Sequence, residues 1–437
     1  MNHKEILINK ICNKTAIVGV IGLGYVGLPF AVEKGKVGYK VLGVEQNPKR
    51  TQMINQGKNY ILDVKDDELQ KLVEEGLLTA QTDFSSVPDM DVIVICVPTP
   101  LTKNLTPDLN YVESVTRSIA SYLRRGQLVT LESTTYPGTT EEVMLPILED
   151  SGLKVEKDFY LAHSPERVDP GNKRYTTKNT NKVVGGVGPE SLAVAVTFYR
   201  QTIENVVPVS CAKAAELSKV FENTFRAVNI ALVNELTLLC DRMCLDVWEV
   251  LDAAFTKPFG IMPFYPGPGV GGHCIPLDPH YLEWKAKELN FNTHFIALAG
   301  EINRKMPEFV RDKAIRILNH SGIASSKARI LILGIAYKKD IEDERESPAI
   351  EIIKLLKQEG ADITYHDPFI PSFNEHGIQM DSTPLTEETL AAADLIIIAT
   401  DHSSIDYQWV VDNSRRVFDT RNATRGITRG REKITLL

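Results

Sequence analysis

The sequence contains few of the features that mark secreted, membrane-bound or nucleic-acid-binding proteins. No Cys-x-x-Cys pair occurs among its six scattered cysteines, so neither a disulfide framework nor a structural zinc site is expected. No apolar run is long enough to cross a bilayer, and residues 1–14 lack the apolar stretch of a signal peptide. The formal net charge is −8, and an acidic surface disfavours nucleic acid and anionic membranes. We therefore expect a cytoplasmic protein that binds neither.

The chain does contain alternating strand and helix patterns in its first and last thirds. Its 437 residues suffice for two or three domains. Short apolar runs such as Ala16–Ile21, Asp91–Val97 and Asp394–Ala399 suit buried parallel strands, and helical segments separate them. The predicted fold class is α/β: two Rossmann-like, doubly wound parallel-sheet domains joined by a long central helix.

The central helix is predicted from residue 212 to about residue 244, a stretch without proline or glycine. Its apolar residues recur at three- and four-residue steps, which gives a wide apolar stripe. The stripe indicates either a dimerisation element or a helix that simply joins two domains, and we expect a homodimer. The predicted domains are 1–210 (cofactor), 211–310 (central helical) and 311–437 (second Rossmann-like), with the link between lobes near residues 306–327.

A glycine fingerprint follows the first predicted strand. Gly22, Gly24 and Gly27 lie between a strand and a helix, where glycine permits a tight turn and close approach to a pyrophosphate. Glu45 ends the second strand, and a carboxylate there accepts from ribose hydroxyls and repels a 2′-phosphate. The pattern predicts NAD rather than NADP, although the nearby Arg50 weakens that preference slightly.

The loop from residue 267 to residue 282 is the most distinctive part of the chain. Five of its first six residues are glycine or proline, so its backbone can approach a ligand closely, and Cys274 follows. We interpret this thiol as a nucleophile, with Asp278 as its polar partner. A buried structural cysteine is the plainer alternative. A zinc site is disfavoured, because structural zinc usually takes two separated ligand pairs.

Other polar residues lie where a site can form. Lys219 and Asn223 share a face of the central helix and can both donate to an oxygen that gains negative charge. Glu166 lies in a loop after a predicted strand, and Lys338 and Arg345 follow the first strand of the last lobe as a possible phosphate cradle. Taken singly, each also fits a solvated polar surface.

Several of these motifs occur in one characteristic order along the chain. They are Gly22–Pro29, Val97–Pro100, Ser133–Thr134, Ser164–Glu166, Glu216–Lys219, Gly271–Cys274, Tyr337–Asp340 and Arg345–Ser347. The chain resembles the UDP-glucose/GDP-mannose dehydrogenase family over essentially its whole length. Its Gly-Gly-His-Cys segment is similar to the branch that acts on UDP-N-acetylhexosamines. Leu277 stands where the UDP-glucose branch usually has lysine, and Arg167 replaces an apolar residue common in that branch.

The resemblance implies a twofold oxidation of a sugar C6 alcohol to a carboxylate with two NAD+, through a thiohemiacetal and a thioester on Cys274. The expected substrate is UDP-N-acetylglucosamine, with the N-acetylmannosamine and N-acetylgalactosamine epimers as close alternatives. Two other classes compete with this interpretation: a single-step hydroxyacid or phosphogluconate-type dehydrogenase, which needs no cysteine, and a non-catalytic sugar-nucleotide sensor.

The resemblance also implies a role for each matched residue. Cys274 is the nucleophile, Lys219 and Asn223 stabilise an oxyanion, and the proton-transfer or water-positioning residues are Asp278, Glu166 and Thr134. The expected NAD contacts are Gly22, Gly24, Tyr25, Val26, Gly27, Glu45, Arg50, Thr99, Thr134 and Arg345, the last reaching across from the third domain. The expected substrate contacts are Arg167, Lys219, Asn223, Tyr265, Gly269, Gly271, Lys338 and Arg421. No metal site is expected.

Overall fold

A computed structural model describes residues 2–61, 64–102, 104–167, 175–272, 274–375 and 377–437. The chain forms two compact units, one of Met1–Glu222 with His280–Phe291 and one of Asn223–Pro279 with Asn292–Leu437. Within the described residues, no helix is both long and apolar enough to cross a bilayer. The three-domain division at residues 210 and 310 remains a prediction.

The first unit is built on an eight-stranded sheet in the order β3-β2-β1-β4-β5-β6-β7-β8, parallel except where β7 pairs with β6. Its strands are β1 Ile17–Ile21, β2 Lys40–Val44, β3 Leu78–Gln81, β4 Val92–Ile95, β5 Leu128–Leu131, β6 Tyr160–His163, β7 Lys182–Gly186 and β8 Val206–Val209. Its helices are α1 His3–Cys12, α2 Gly27–Lys36, α3 Pro48–Asn55, α4 Asp66–Glu74, α5 Asn110–Ala120, α6 Leu145–Glu149 and α7 Pro189–Tyr199. The strand order reverses between β1 and β4, so ligands are expected at the carboxyl ends of these strands.

The middle of the chain is helical. Its helices are α8 Ala212–Met243, α9 Val247–Phe255, α10 Asp278–Glu288 and α11 His294–His320. α8 contains 32 residues and spans the predicted range almost to the residue. The predicted link at residues 306–327 is helical over most of its length, because α11 continues through Pro307 to His320. An unbroken stripe of buried residues, from Ala299 through Met306 to Leu318, explains why one proline does not end the helix.

The second unit contains a five-stranded parallel sheet in the order β10-β9-β13-β14-β15. Its strands are β9 Arg329–Leu333, β10 Asp362–His366, β13 Leu395–Ile398, β14 Val417–Asp419 and β15 Ile434–Leu436, and β11 Ser372–Glu375 pairs with β12 Ile378–Asp381 as a separate hairpin. The helices are α12 Pro348–Gln358, α13 Glu387–Ala392 and α14 Tyr407–Asn413. The central strands are apolar on both faces, as expected for a sheet covered by helices. The predicted α/β class, with two Rossmann-like sheets and a long helix between them, is confirmed.

One buried acid connects the start of α8 to the first unit. Glu216 accepts from the backbone N–H groups of Gly138 and Thr140, at 2.5 and 2.8 Å, and from the Thr140 hydroxyl at 2.6 Å. Burial nevertheless raises the pKa of Glu216 from 4.5 to about 7. The cost of desolvating the anion therefore exceeds the gain from these hydrogen bonds.

A pH dependence of stability follows from Glu216. Its pKa is higher in the folded than in the unfolded chain, so its contribution is complete below pH 4.5 and lost as the pH rises through about 7. Glu216→Gln should remove that slope, roughly 1–3 kcal/mol of unfolding free energy, in urea titrations at pH 5 and pH 8. The exposed Glu75→Gln is the control, and equal slopes in both variants would contradict the prediction.

Candidate functional site

The turn between β1 and α2 requires glycine at two positions and leaves space at a third. Gly22 has φ of +88°, and a Cβ there would lie 2.6 Å from the Cys96 carbonyl oxygen. A Cβ at Gly27 would lie 1.9 Å from the Gly22 carbonyl oxygen, whereas a Cβ at Gly24 would meet no atom within 4 Å. The packed glycines bring the turn and the start of α2 together, and the open side at Gly24 fits the close approach of a pyrophosphate.

Glu45 at the end of β2 is buried and held by backbone donors. Its carboxylate accepts from Leu23 N at 3.1 Å and from Asn47 N at 2.9 Å, so its orientation is fixed beside the glycine turn. Each oxygen keeps a second lone pair for a ribose hydroxyl. The guanidinium of Arg50 lies 5.3 Å from the centre of the Tyr60 ring. These residues fit an adenine dinucleotide without a 2′-phosphate.

The loops that follow β4 and β5 are tied together at the same edge of the sheet. The Thr99 hydroxyl donates to the Thr134 carbonyl at 2.6 Å, and the Ser133 hydroxyl donates to the Val97 carbonyl at 2.6 Å. The Tyr281 hydroxyl, in α10, donates to the Thr99 carbonyl. Thr99 and Thr134, both predicted cofactor contacts, therefore lie side by side.

Glu166 has specific partners in the first unit and does not fit the alternative of an isolated surface acid. Its Oε2 accepts from the ammonium of Lys182 at 3.0 Å, and its Oε1 accepts from Arg167 N at 2.8 Å. The guanidinium of Arg167 pairs with Glu222 in α8 at 2.6 Å. Arg167, a predicted substrate contact, thus ties the Glu166 loop to α8.

Beneath Glu166 lies a buried charge network that the sequence did not reveal. The ammonium of Lys182 lies 2.5 Å from Glu132, and the Tyr199 hydroxyl donates to the other Glu132 oxygen at 2.8 Å. Burial lowers the pKa of Lys182, but the carboxylates of Glu132 and Glu166 outweigh it and leave that pKa above its usual value. Burial raises the pKa of Glu132. Lys182 is therefore a permanent cation between two acids.

In the second unit, Cys274 and Asp278 are one helical turn apart at the start of α10. Asp278 N donates to the Cys274 carbonyl at 2.8 Å, and the Asp278 carboxylate accepts from the Asn223 amide at 2.6 Å. Asp278 and Asn223 are buried, whereas Cys274 is exposed in the structure. Three of the predicted catalytic residues are therefore brought together. Lys219 lies one turn before Asn223 in α8 and belongs to the first unit.

The glycine loop packs directly on the segment after β9. A Cβ at Gly269, whose φ is +142°, would lie 2.8 Å from Pro348, and one at Gly271 would lie 2.7 Å from the Glu346 carbonyl oxygen. A Cβ at Gly272 would enter the ring of Tyr337 at 2.7 Å, and Gly272 N donates to the Arg345 carbonyl at 3.0 Å. The predicted substrate loop and the predicted phosphate cradle are thus in direct contact.

Two residues that the sequence did not point to, His402 and Asp367, hold the backbone of the predicted phosphate cradle by hydrogen bonds. The Nε2 of the fully buried His402 lies 3.0 Å from Asp367, and Asp340 N donates to its Nδ1 at 3.0 Å. This pattern assigns the proton to Nε2. Asp367 also accepts from the backbone N–H groups of Ile335 and Ala336. The pair therefore fixes both ends of the short segment that carries Lys338.

The remaining predicted contacts lie around the same loop. The Arg421 guanidinium donates to the Ala399 carbonyl at 2.9 Å, and its Nη1 would lie 2.5 Å from a Cβ at Gly267. Tyr265 stacks on Trp248 at 5.7 Å and donates to Asp252 at 3.0 Å. Arg345 forms a bidentate pair with its neighbour Asp343. Its predicted cofactor contact remains a prediction.

Three family comparisons match the chain in order. The NAD-binding domain of the UDP-glucose/GDP-mannose dehydrogenase family matches residues 16–203, the central domain of that family matches 213–305, and its UDP-binding domain matches 331–426. Together these ranges leave only the termini and two short connecting segments unmatched. The cofactor motif and the cradle therefore lie in the NAD-binding and UDP-binding regions respectively.

Individual relatives agree with this assignment. The chain is 37% identical to the UDP-N-acetyl-D-glucosamine 6-dehydrogenase of Pseudomonas aeruginosa, covering 88% of this chain and 90% of the relative. It is 35% identical to the UDP-N-acetyl-D-mannosamine dehydrogenase of Pyrococcus horikoshii, covering 93% and 95%. A solved structure of the P. horikoshii UDP-D-ManNAc dehydrogenase superposes with a TM-score of 0.87, at 33% identity, covering 96% of this chain and 98% of that one.

Removal of the His402 imidazole should weaken uridine-nucleotide binding. In His402→Ala, Asp340 N loses its acceptor and the buried Asp367 carboxylate loses a donor, and losing a hydrogen bond to a buried charged group costs about 1–3 kcal/mol. Titration of UDP by calorimetry should show roughly tenfold weaker binding. The exposed His320→Ala, at the end of α11, is the control. UDP affinity equal to that of the unaltered chain would contradict a role for His402 in holding the cradle.

Proposed function

We propose that this chain, which belongs to the UDP-glucose/GDP-mannose dehydrogenase family, oxidises the C6 alcohol of a UDP-N-acetylhexosamine to a carboxylate. The family and its relatives are NAD-dependent nucleotide-sugar dehydrogenases. The observation that carries the finer proposal is the placement of the exposed Cys274 one turn before the buried Asn223–Asp278 pair.

Cys274 retains the intermediate between two oxidations. Its thiol adds to the C6 aldehyde: a C–S bond forms, and the thiol proton is transferred to yield the hydroxyl of a thiohemiacetal. The second oxidation converts the thiohemiacetal to a thioester. Water then adds to the thioester carbon, the C–S bond breaks, and the carboxylate and the thiol are released. Covalent attachment prevents the aldehyde from escaping between the oxidations.

NAD, when bound at the glycine turn, accepts a hydride in each oxidation. Gly24 and the start of α2 would hold its pyrophosphate, and Glu45 would hold a ribose. The open side at Gly24 and the fixed, buried carboxylate of Glu45 are the features that fit this cofactor. Thr99 and Thr134 would line the adjacent strand ends.

Three tasks remain in this mechanism: stabilising the oxyanion, accepting a proton and orienting the hydrolytic water. Lys219 and Asn223 would donate to the oxygen that becomes negative as the thiol or water adds. Because Asn223 already donates to Asp278, its amide is held in one orientation. Glu166 would take the proton of the hydrolytic water, since its carboxylate is held by Lys182 and Arg167 N. Thr134 would orient that water.

We place UDP-N-acetylglucosamine first among the substrates. The Gly-Gly-His-Cys segment and Leu277 support an N-acetylhexosamine over glucose, although His273 lies outside the described residues. Relatives at similar identity act on the glucosamine and the mannosamine compounds. The orientation of one substituent separates these epimers. A nucleophilic cysteine also needs reducing surroundings, which supports a cytoplasmic location.

Substrate, stoichiometry and mechanism can be tested in one assay. The purified protein with NAD+ should release two NADH per UDP-N-acetylglucosamine, measured at 340 nm, and less with its C2 and C4 epimers and with UDP-glucose. Cys274→Ser should lower carboxylate formation by at least ~10³-fold, the scale seen when a catalytic nucleophile is removed. The exposed Cys12→Ser is the matched control and should retain full activity.

Other results of this assay would indicate a different protein class, a different substrate or a different mechanism. One NADH per substrate would indicate the single-step dehydrogenase. No NADH with any UDP-hexosamine, together with tight UDP binding, would indicate the sensor. Preference for an epimer would change the substrate but keep the mechanism, whereas full turnover by Cys274→Ser would reject the mechanism itself.

We also propose that α8 forms a homodimer interface. Phe225, Leu232 and Leu239 recur every seven residues along α8, and each is exposed, Leu232 by 62% and Leu239 by 52%. Phe221 and Met243 extend the same stripe. A seven-residue apolar repeat on a 32-residue helix suits pairing with a second copy of the same helix.

A charge placed within this stripe should separate the dimer. Light scattering after size exclusion should give the mass of two chains for the unaltered protein and of one chain for Leu232→Glu with Leu239→Glu, because two buried carboxylates without partners oppose association. Ile6→Glu, on the exposed side of α1, is the control. A monomeric unaltered protein, or a double variant that remains dimeric, would exclude this interface.

A further inference from the structure

The buried network beneath Glu166 suggests a residue that acts on the reaction without touching substrate. Lys182 opens β7, lies fully inside the first unit, and places one ammonium within hydrogen-bond distance of both Glu132 and Glu166. Nothing in the proposed chemistry requires Lys182 itself. Its position needs an explanation, because burying an ammonium is costly unless its partners compensate for the lost water.

The two carboxylates that share Lys182 differ in their surroundings. Glu132 is completely buried, and both of its oxygens are bonded, one to Lys182 and one to the Tyr199 hydroxyl. Glu166 lies nearer the surface, with its side chain 16% exposed. Of the two, only Glu166 can therefore exchange a proton directly with water or with a bound molecule.

Other charged or titratable groups surround the network from neighbouring elements. They are Lys34 on α2, Cys96 after β4, His163 on β6 and Tyr199 on α7, with Arg167 beside Glu166 itself. Burial lowers the pKa of His163 to about 3 and keeps it neutral, and burial lowers the pKa of Lys34 well below its usual value. Arg167 directs its guanidinium to Glu222. Among these groups of the described chain, Lys182 is a buried ammonium in direct contact with Glu166.

We propose that Lys182 is a positioning residue that holds the carboxylate of Glu166 in one orientation and in its ionised form, with Glu132 as the buried counter-charge that keeps Lys182 in place. Lys182 fixes Oε2 and Arg167 N fixes Oε1, so both oxygens of the carboxylate are held in a set direction. The catalytic consequence rests on the proposed function, in which Glu166 accepts a proton from water.

The pH dependence of kcat distinguishes this role from a purely structural one. An opposite charge within about 4–6 Å commonly shifts a titration by 1–3 pH units. Lys182→Met should therefore move the acidic limb of the kcat profile at least about one pH unit upward, because Glu166 then protonates more readily. Lys182→Arg retains the charge and should restore the limb.

A second variant protects the test against misfolding. Lys182→Met alone leaves Glu132 buried without its cation, and such a loss can unfold the unit. The double variant Lys182→Met with Glu132→Gln removes both buried charges, and the amide oxygen of the introduced glutamine can still accept from Tyr199. It should fold and shift the acidic limb in the same direction but by less, because removing Glu132 also removes a negative charge that repels the ionised Glu166. A uniform loss of kcat at every pH, or an unmoved limb in both variants, would overturn the proposal.

A thermodynamic cycle separates this proposal from the proposed function. Glu166→Gln is introduced into the unaltered protein and into the double variant, and urea unfolding is measured at pH 8. If Lys182 holds the ionised Glu166, the two effects on the unfolding equilibrium constant should differ by at least about tenfold. If no UDP-hexosamine is oxidised, the proposed function fails and this cycle alone decides the Lys182–Glu166 link. A turnover assay that succeeds while the cycle shows no coupling rejects only the link.

Discussion

The ammonium of Lys182, shared between Glu132 and Glu166, is the interaction that holds the ends of β5 and β6 together in the first unit. A buried charge is tolerated only when its hydrogen bonds replace those to water, and removing one partner of such a pair commonly costs about 3–5 kcal/mol. Here the acceptors come from the ends of β5 and β6, and the donor opens β7. The network therefore fixes three neighbouring strand ends at the edge where ligands of such sheets bind.

In the second unit, the predicted substrate loop is held by close backbone packing and not by buried charges. Gly269, Gly271 and Gly272 allow the loop to lie against Tyr337 and Pro348 at distances that any Cβ would prevent. Glycine in a loop normally adds conformational freedom, but contact on one side and an N–H bond to the Arg345 carbonyl remove it. These contacts hold the glycine segment in one conformation, and the exposed Cys274 lies two residues after Gly272.

The sequence predicted those features that depend on neighbours along the chain. Apolar runs located the strands, and the glycine turn was placed correctly because its spacing alone carries the signal. Lys182 and Glu132 are 50 positions apart and His402 and Asp367 are 35 apart, so no periodicity connects them. The local sequence indicates this network only through Lys182, a charged residue at the first position of the otherwise apolar strand β7. Pro307 shows the opposite case, since the buried face of α11 holds the helix together past a residue that locally disfavours it.

Residues of α8 belong to both compact units. The boundary between the compact units falls between Glu222 and Asn223, inside this one helix. Lys219 therefore belongs to the unit that carries the glycine turn, and Asn223 to the unit that carries the thiol. Each proposed oxyanion donor thus belongs to a different unit. Within the second unit, Asn223 is oriented by its hydrogen bond to the buried Asp278 at 2.6 Å.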